Sequence, residues 1–559
     1  MPVLHLLASV VVSFSAAALP SSDVVVGSDV IVNTTAGAIL GTTHGDVHAF
    51  RGIPYAEPPV GALRWRDPVP KANWTGVRSA LADGPGCPQL CKLPILACPP
   101  RTAEDCLYLN VFAPANASDL AVMFFVHGGD FYQGFGGGIL YDGYQFASRH
   151  GVVLVSINYR LGALGFLYSG DDASKEYTGN FGLHDQRLAM RWAQANVARF
   201  GGDPNKVTIF GESAGGMSVA CHLLMRESHG LFSQAIIESE PFGLPFRTSK
   251  TYPSFSATLA RKAKCAGALQ KKGWEPCMRA LNVSLVLEAQ AAAEKDLFAE
   301  VGHFLDTFIP FSPVVGPTVG LTVQPLQGFV TNRSVADVPL MVGVNRQESL
   351  LFIYEAFSSK LSKVEEDAVL GVIFGVSTTV TINKRYPRTA AQKAAHDYRN
   401  HSVNITNDCL FRCATRHAAL SLTKQRSQGV RASPTFLYHF DHVISFGASF
   451  WLPSTPVCVD AVCHGEELPF VFDPNTSSVN RSFTADEAAL ALSMQTYWSN
   501  FAKSGAPGVA AGVAWPELNA ANESAIHLRG AGGNIVDRAV YADRCEFWDG
   551  LGYEWVLNP

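Results

Sequence analysis

KVTIFGESAGGMSVACHLLM, residues 206–225, reads as an apolar strand joined directly to a helix through a turn centred on one serine. Lys206–Phe210 supplies the strand, Gly211-Glu212-Ser213-Ala214-Gly215 fits G-x-S-x-G, and small and apolar residues then open the helix. A strand–turn–helix this tight lifts the serine hydroxyl clear of the sheet edge, and the flanking glycines keep the neighbouring backbone out of its way. A hydroxyl is a poor nucleophile until a base removes its proton and an acid orients that base. Ser213 is therefore the candidate nucleophile, and its partners must lie elsewhere in the chain.

Outward from this turn, buried strands alternate with helices. Leu120–Val126 is a continuous apolar run and Val152–Ile157 nearly so, as expected of strands covered on both faces. Asp185–Phe200 has helical spacing. The alternation predicts an α/β fold with a large, mostly parallel sheet flanked by helices. Residues 22–70 read as short strands and turns leading into a Pro-rich stretch. Residues 250–310 and 355–430 read as helical insertions capping one end of the sheet. No linker divides the chain into independent domains.

Composition narrows the class. Across 559 residues, 47% hydrophobic and 16% charged content excludes a disordered chain, and the net charge of −5 argues against a nucleic-acid partner. MPVLHLLASVVVSFSAAALP at the start reads as a signal peptide cleaved near Ala18, leaving 19–559 as one domain. No second stretch approaches membrane-spanning length. Sequons at Asn33, Asn73, Asn116, Asn282, Asn332, Asn400, Asn404, Asn475, Asn480 and Asn522 and the 12 cysteines suit a secreted or lumenal protein. No Cys/His cluster has zinc spacing, and neither a metal nor another cofactor is expected.

Downstream of Ser213, Glu348 stands in VGVNRQES and His464 in CHGEELPFVF, both in segments that read as loops. Their order, Ser, acid, His, suits a serine on this kind of turn. Spacing alone does not select one histidine among 16.

A wider set of segments does. FGGDPNKVTIFGESAGG (200–216), EDCLYLNVFAP (104–114), FRGIPYAEPPVGALRW, SINYRLGALGFL, GNFGLHDQRLAMRW and the late CEFW occur in order over nearly the whole chain beyond residue 18. In these the chain resembles the type-B carboxylesterase family, which includes cholinesterases, fungal lipases and insect esterases. The resemblance implies an α/β-hydrolase fold and a secreted serine esterase that acts on small-molecule esters through an acyl-enzyme on Ser213, with His464 as base and Glu348 as acid. It implies an oxyanion hole of backbone N–H groups from Gly128, Gly129, Asp130 and Ala214, with Glu212 and Ser239 in support. Thr307, Phe308, Ile309 and Phe311 lie where the family builds its acyl pocket. Buried ion pairs Arg64–Glu104 and Arg160–Asp185 are implied as structural.

Implied disulfides are Cys87–Cys106, Cys265–Cys277 and Cys413–Cys545; Cys91–Cys98 and Cys458–Cys463 can close two further short loops. Cys221 and Cys409 remain, with Cys409–Cys413 a competing pair. A triacylglycerol lipase and a non-catalytic adhesion domain are the alternative functions, and the oligomeric state is open.

Two departures stand out. Asp130 fills a position the family usually gives to glycine: its carboxyl either turns away into a hydrogen bond or stays to position water for deacylation. The loop CPQLCKLPILACPPRTAEDC, residues 87–106, has no aromatic residue, which argues against a cholinesterase. Its four prolines and second bridge argue against a mobile lipase lid and favour soluble esters.

Overall fold

The computed structural model describes residues 28–170, 178–266, 273–300, 305, 308–331, 335–474, 482–539 and 541–557. Its strands are β1 (Asp29–Asn33), β2 (Ala38–His44), β3 (Val47–Pro54), β4 (Val77–Ser79), β5 (Tyr108–Pro114), β6 (Leu120–Val126), β7 (Val153–Ile157), β8 (Gly202–Glu212), β9 (Gln234–Glu238), β10 (Leu340–Asn345), β11 (Thr435–Phe440), β12 (Val509–Ala510), β13 (Val513–Ala514), β14 (Ser524–Leu528) and β15 (Ile535–Arg538). Among the described residues the main sheet has the order β1-β2-β3-β5-β7-β6-β8-β9-β10-β11-β14-β15, with β4 beside β2. From β7 through β14 the neighbours pair in parallel, while antiparallel strands close both edges.

The apolar runs become central strands because both sheet faces are covered. Along β6 the side chains alternate: Val122, Phe124 and Val126 enter one core, Met123 and Phe125 the other. β8 extends beyond Lys206–Phe210 at both ends, since it pairs with β6 on one side and β9 on the other. The helix expected over Asp185–Phe200 starts earlier, at Phe181, and its last turn tightens into a 3-10 segment, Val197–Phe200. The insertions are helical as expected; they include Tyr252–Lys262, Val283–Glu300, Lys363–Phe374, Arg399–Thr406 and Cys413–Ser427. The last two are joined by a π-helical segment, Asn407–Arg412.

Two arginines tie distant segments of the chain together. Arg64 Nε donates to Glu104 Oε2 at 2.8 Å and its Nη1 to the Leu281 carbonyl at 2.6 Å. Arg160 grips Asp185 with two bonds of 2.7 Å. Buried pairs like these cost about 3–5 kcal/mol when one partner is removed, because the other charge stays behind unpaired. All five disulfides anticipated above are formed, and Cys221 and Cys409 are buried free thiols; Cys413 is taken by Cys545, so no Cys409–Cys413 bridge exists.

Parallel pairing sends the C-terminal ends of β6, β8, β9 and β10 to one edge of the sheet. His127, Ser213, Ser239 and the loop to Glu348 all follow these ends, the place where open α/β sheets build their sites.

Candidate active site

Ser213 sits between β8 and the helix Ala214–Leu224 with φ 58° and ψ −124°, a conformation that costs energy for a residue with a Cβ. The surroundings hold it there. Its N–H donates to the Glu238 carbonyl at 2.9 Å and its carbonyl accepts from Met217 at 2.8 Å. The glycines are required by contact: a Cβ on Gly215 would lie 2.0 Å from the Val126 carbonyl oxygen, and one on Gly211 would lie 2.6 Å from that same oxygen.

His464 and Glu348 converge on this turn. Glu348 Oε2 lies 2.6 Å from His464 Nδ1, and both side chains are buried. Asn345 N–H holds the other carboxylate oxygen, Oε1, at 2.5 Å. The aromatic rings of Phe352 and Phe411 pack edge-on to the imidazole, with centroids 4.9 and 5.5 Å away. The Cys458–Cys463 bridge closes immediately before His464, and Gln347 binds Val462 through two hydrogen bonds, so the acid and base loops are fastened to each other. The second nitrogen, Nε2, lies 3.2 Å from Glu212 Oε1; neither atom makes a hydrogen bond, and Ser213 Oγ is not bonded to the ring. Proton transfer from Ser213 therefore needs a rotamer change of the serine or a small swing of the ring, a tightening common when substrate binds.

Carboxyl groups crowd the base. Burial disfavours the imidazolium, but Glu212 and then Glu348 outweigh it and raise His464 to about 10. Burial, together with the charges of Glu467, Glu348 and Asp130, pushes Glu212 up to about 8 against the pull of His464. Glu467 rises to about 7, through burial and then Glu348; it accepts from Ser239 Oγ at 2.9 Å and from Asn345 Nδ2. The cluster thus shares protons: each carboxyl that takes one weakens the hold on the imidazolium.

Gly128 lies so close to the turn that a Cβ there would be 3.1 Å from Ser213 Cβ. Gly129, Asp130 and Phe131 follow with φ of 104°, 54° and 63°. Ala214 is the first residue of its helix, where the N–H has no intrahelical acceptor. The half-buried Asp130 carboxyl makes no hydrogen bond or ion pair with another described residue. Burial, then the charge of Glu355, raises Asp130 to about 7.

Two cavities meet at Ser213 and Asp130. One is apolar, with walls from Met217, Leu244, Phe308, Ile309, Leu410 and Phe411. The other is more polar and is bordered by Lys92, Gln133, Glu212, Glu355, Trp451 and His464. Phe308 and Ile309 thus line a cavity as expected, while Thr307 lies outside the described residues. Phe311 is a correction: it is fully buried against Phe255, ring centroids 4.8 Å apart, in a separate core. Leu410 and Phe411 escaped notice because their exposure to the cavity depends on the π-helical turn. Phe352 carried a usable signal, four residues past Glu348 on the apolar helix Ser349–Ala356. Among the described residues no group of three or more His, Cys, Asp or Glu could hold a metal ion, and no helix is long and apolar enough to cross a membrane.

Known proteins resemble this chain over almost its full length. The model of the carboxylesterase family matches residues 28–548. Para-nitrobenzyl esterase of Bacillus subtilis (strain 168) is 36% identical, covering 87% of this chain and 92% of its own. The crystal protein of Dictyostelium discoideum is 34% identical, covering 92% and 90%. The solved structure of a PNB esterase aligns with a TM-score of 0.75 at 31% identity, covering 93% of this chain and 99% of that one.

Proposed function

Since this chain belongs to the carboxylesterase family and is a carboxylic ester hydrolase, we propose that it works through an acyl-enzyme on Ser213, with His464 as base and Glu348 as the acid that orients it. The observation that supports this most is the meeting of three groups from distant parts of the chain. The 2.6 Å contact between Glu348 and His464 orients the ring through Nδ1, with Nε2 at the rim of a cavity that Ser213 also lines.

In this mechanism His464 Nε2 takes the hydroxyl proton as Ser213 Oγ attacks the ester carbonyl. The oxyanion gathers on the N–H groups of Gly129, Asp130 and Ala214, with Gly128 giving close approach. The imidazolium then protonates the departing alkoxide; water, deprotonated by the same ring, attacks the acyl-enzyme and frees the acid and Ser213. Glu212 and the Ser239–Glu467 pair set the charge around the ring. The apolar cavity suits a hydrocarbon portion of a small soluble ester and the polar one its more hydrophilic part.

We further propose secretion, with residues 1–18 as a signal peptide and 19–559 as one domain. The described sequon asparagines, Asn33, Asn73, Asn116, Asn282, Asn400, Asn404 and Asn522, are all exposed, and the five disulfides suit an oxidising compartment. Asn332, Asn475 and Asn480 lie outside the described residues.

The deciding experiment is fluorophosphonate labelling with peptide mapping, beside a chain-length series of p-nitrophenyl esters. Label on Ser213 and loss of both label and turnover in Ser213→Ala are expected. A Ser213→Ala protein that turns over esters like the wild type would remove the mechanism. A sharp rise in rate above the substrate's solubility would favour a lipase instead.

A further inference from the structure

The turn that would hold the oxyanion is strained and has little secondary structure of its own. Gly129, Asp130 and Phe131 all have positive φ, a run that persists only where the surroundings impose it. Within the turn, Tyr132 and Gln133 donate their N–H groups to the Gly129 carbonyl at 3.1 and 3.0 Å. The chain is so close there that a Cβ on Gly129 would lie 2.3 Å from the Gln133 carbonyl oxygen. These bonds fold the turn upon itself but do not fix it to the rest of the protein.

Outside grips come from Gly162, whose N–H donates to the Phe131 carbonyl at 2.7 Å, and from the disulfide-bounded segment. The Gln89 side chain, 8% exposed, donates from Nε2 to the Gly134 carbonyl at 2.8 Å and accepts at Oε1 from Gly134 N–H, also at 2.8 Å. Nε2 also reaches the Cys87 carbonyl at 3.0 Å, beside the Cys87–Cys106 bridge. Gln133, itself buried, accepts from Lys92 N–H at 2.7 Å, within the Cys91–Cys98 loop. Gly134 is pressed against His127: a Cβ on it would be 2.3 Å from the imidazole Nδ1. A side-chain amide is the group suited to this place, because it carries a donor and an acceptor side by side and can satisfy both backbone groups of Gly134.

We propose that Gln89 is a positioning residue for catalysis: its amide fixes Gly134, and through it holds the Gly129–Asp130 N–H groups where the tetrahedral oxyanion forms. This rests on the reading of Ser213 as the nucleophile. The aromatic-free Cys87–Cys106 loop then serves as a brace for the oxyanion hole.

The full-length enzyme would be compared with Gln89→Met, which keeps the shape and loses all three bonds, and Gln89→Glu, which when ionised keeps only the acceptor. Gln133→Leu, which removes the bond to Lys92, gives a second view should the position-89 variants fold poorly. The readouts are kcat and KM for p-nitrophenyl acetate, the inhibition constant of a trifluoromethyl ketone, which forms a tetrahedral oxyanion, and thermal midpoint. Displaced oxyanion donors should lower kcat about 10- to 100-fold in Gln89→Met, with ketone affinity falling by a similar factor and KM little changed. Gln133→Leu should show a smaller fall of the same kind. Gln89→Glu should recover activity relative to wild type at acid pH, where the protonated carboxyl again donates and accepts. Wild-type kcat and ketone affinity in folded Gln89→Met and Gln133→Leu would overturn the proposal, as would a kcat loss with unchanged ketone affinity. Failure of Ser213 itself is separable: it would show as absent fluorophosphonate labelling of the wild type.

Discussion

Replacing Glu212 by glutamine should move the pH at which the enzyme switches on. His464 can take the Ser213 proton only when its Nε2 is unprotonated, and Glu212 Oε1 lies 3.2 Å from that atom in a buried site. A unit charge at that distance, at an effective dielectric constant of about 20, contributes about 5 kcal/mol, or about 4 pKa units. That is a ceiling, because Glu212 itself is raised to about 8 and carries a full charge only above that pH. The sign is fixed: a carboxylate favours the imidazolium, so Glu212→Gln lowers the pKa of His464 and its basic form persists at lower pH. The acid limb of kcat/KM for a soluble p-nitrophenyl ester, followed from about pH 5 to 10, should therefore shift to lower pH by about one to four units. The plateau should fall at the same time, because the imidazolium formed during attack loses a stabilising neighbour. An acid limb that stays where the wild type has it would refute the view that Glu212 governs the charge of this ring.

Asp130→Asn should match the wild type at acid pH and overtake it as pH passes about 7, where the native carboxyl ionises beside the developing oxyanion; the ratio of kcat values against pH tests this. Gly215→Ala puts a Cβ 2.0 Å from the Val126 carbonyl oxygen and should cost about 1–3 kcal/mol or more of stability by denaturant titration, with loss of Ser213 labelling. Burial alone raises Glu240 well above 4.5, so the folded protein keeps a proton that the unfolded chain releases, and stability is lost as pH rises from about 4.5 toward the folded value. Glu240→Gln should accordingly raise the thermal midpoint more at pH 8 than at pH 5 in calorimetry.

How far the sequence could be read follows from what each element depends on. Strands such as Leu120–Val126 are local statements, an apolar run that must be covered on both faces, and they appear as read. Ser213 was legible because strand, glycine turn and helix are contiguous. Glu348 and His464 lie 116 residues apart, and spacing alone gave no reason to pair them; the family resemblance supplied that, and the structure brings them to 2.6 Å. The cavity walls were least legible. Phe308, Phe311 and Phe411 are alike as residues, and what separates them is packing: Phe311 turns into the Phe255 core, while the π-helical segment delivers Phe411 to the imidazole. Gln89 was hidden for a similar reason, since its role depends on a turn more than forty residues away closing against it.

The Cys413–Cys545 bridge spans 132 residues of chain, and His464 lies inside that span. A peptidase nick on the protein surface between the two cysteines would therefore cut the polypeptide without releasing the histidine-bearing piece. Such a molecule would keep both fragments covalently joined and migrate as one band on a denaturing gel until a thiol reductant separated them. Backbone integrity and possession of the base are thus uncoupled over almost a quarter of the chain.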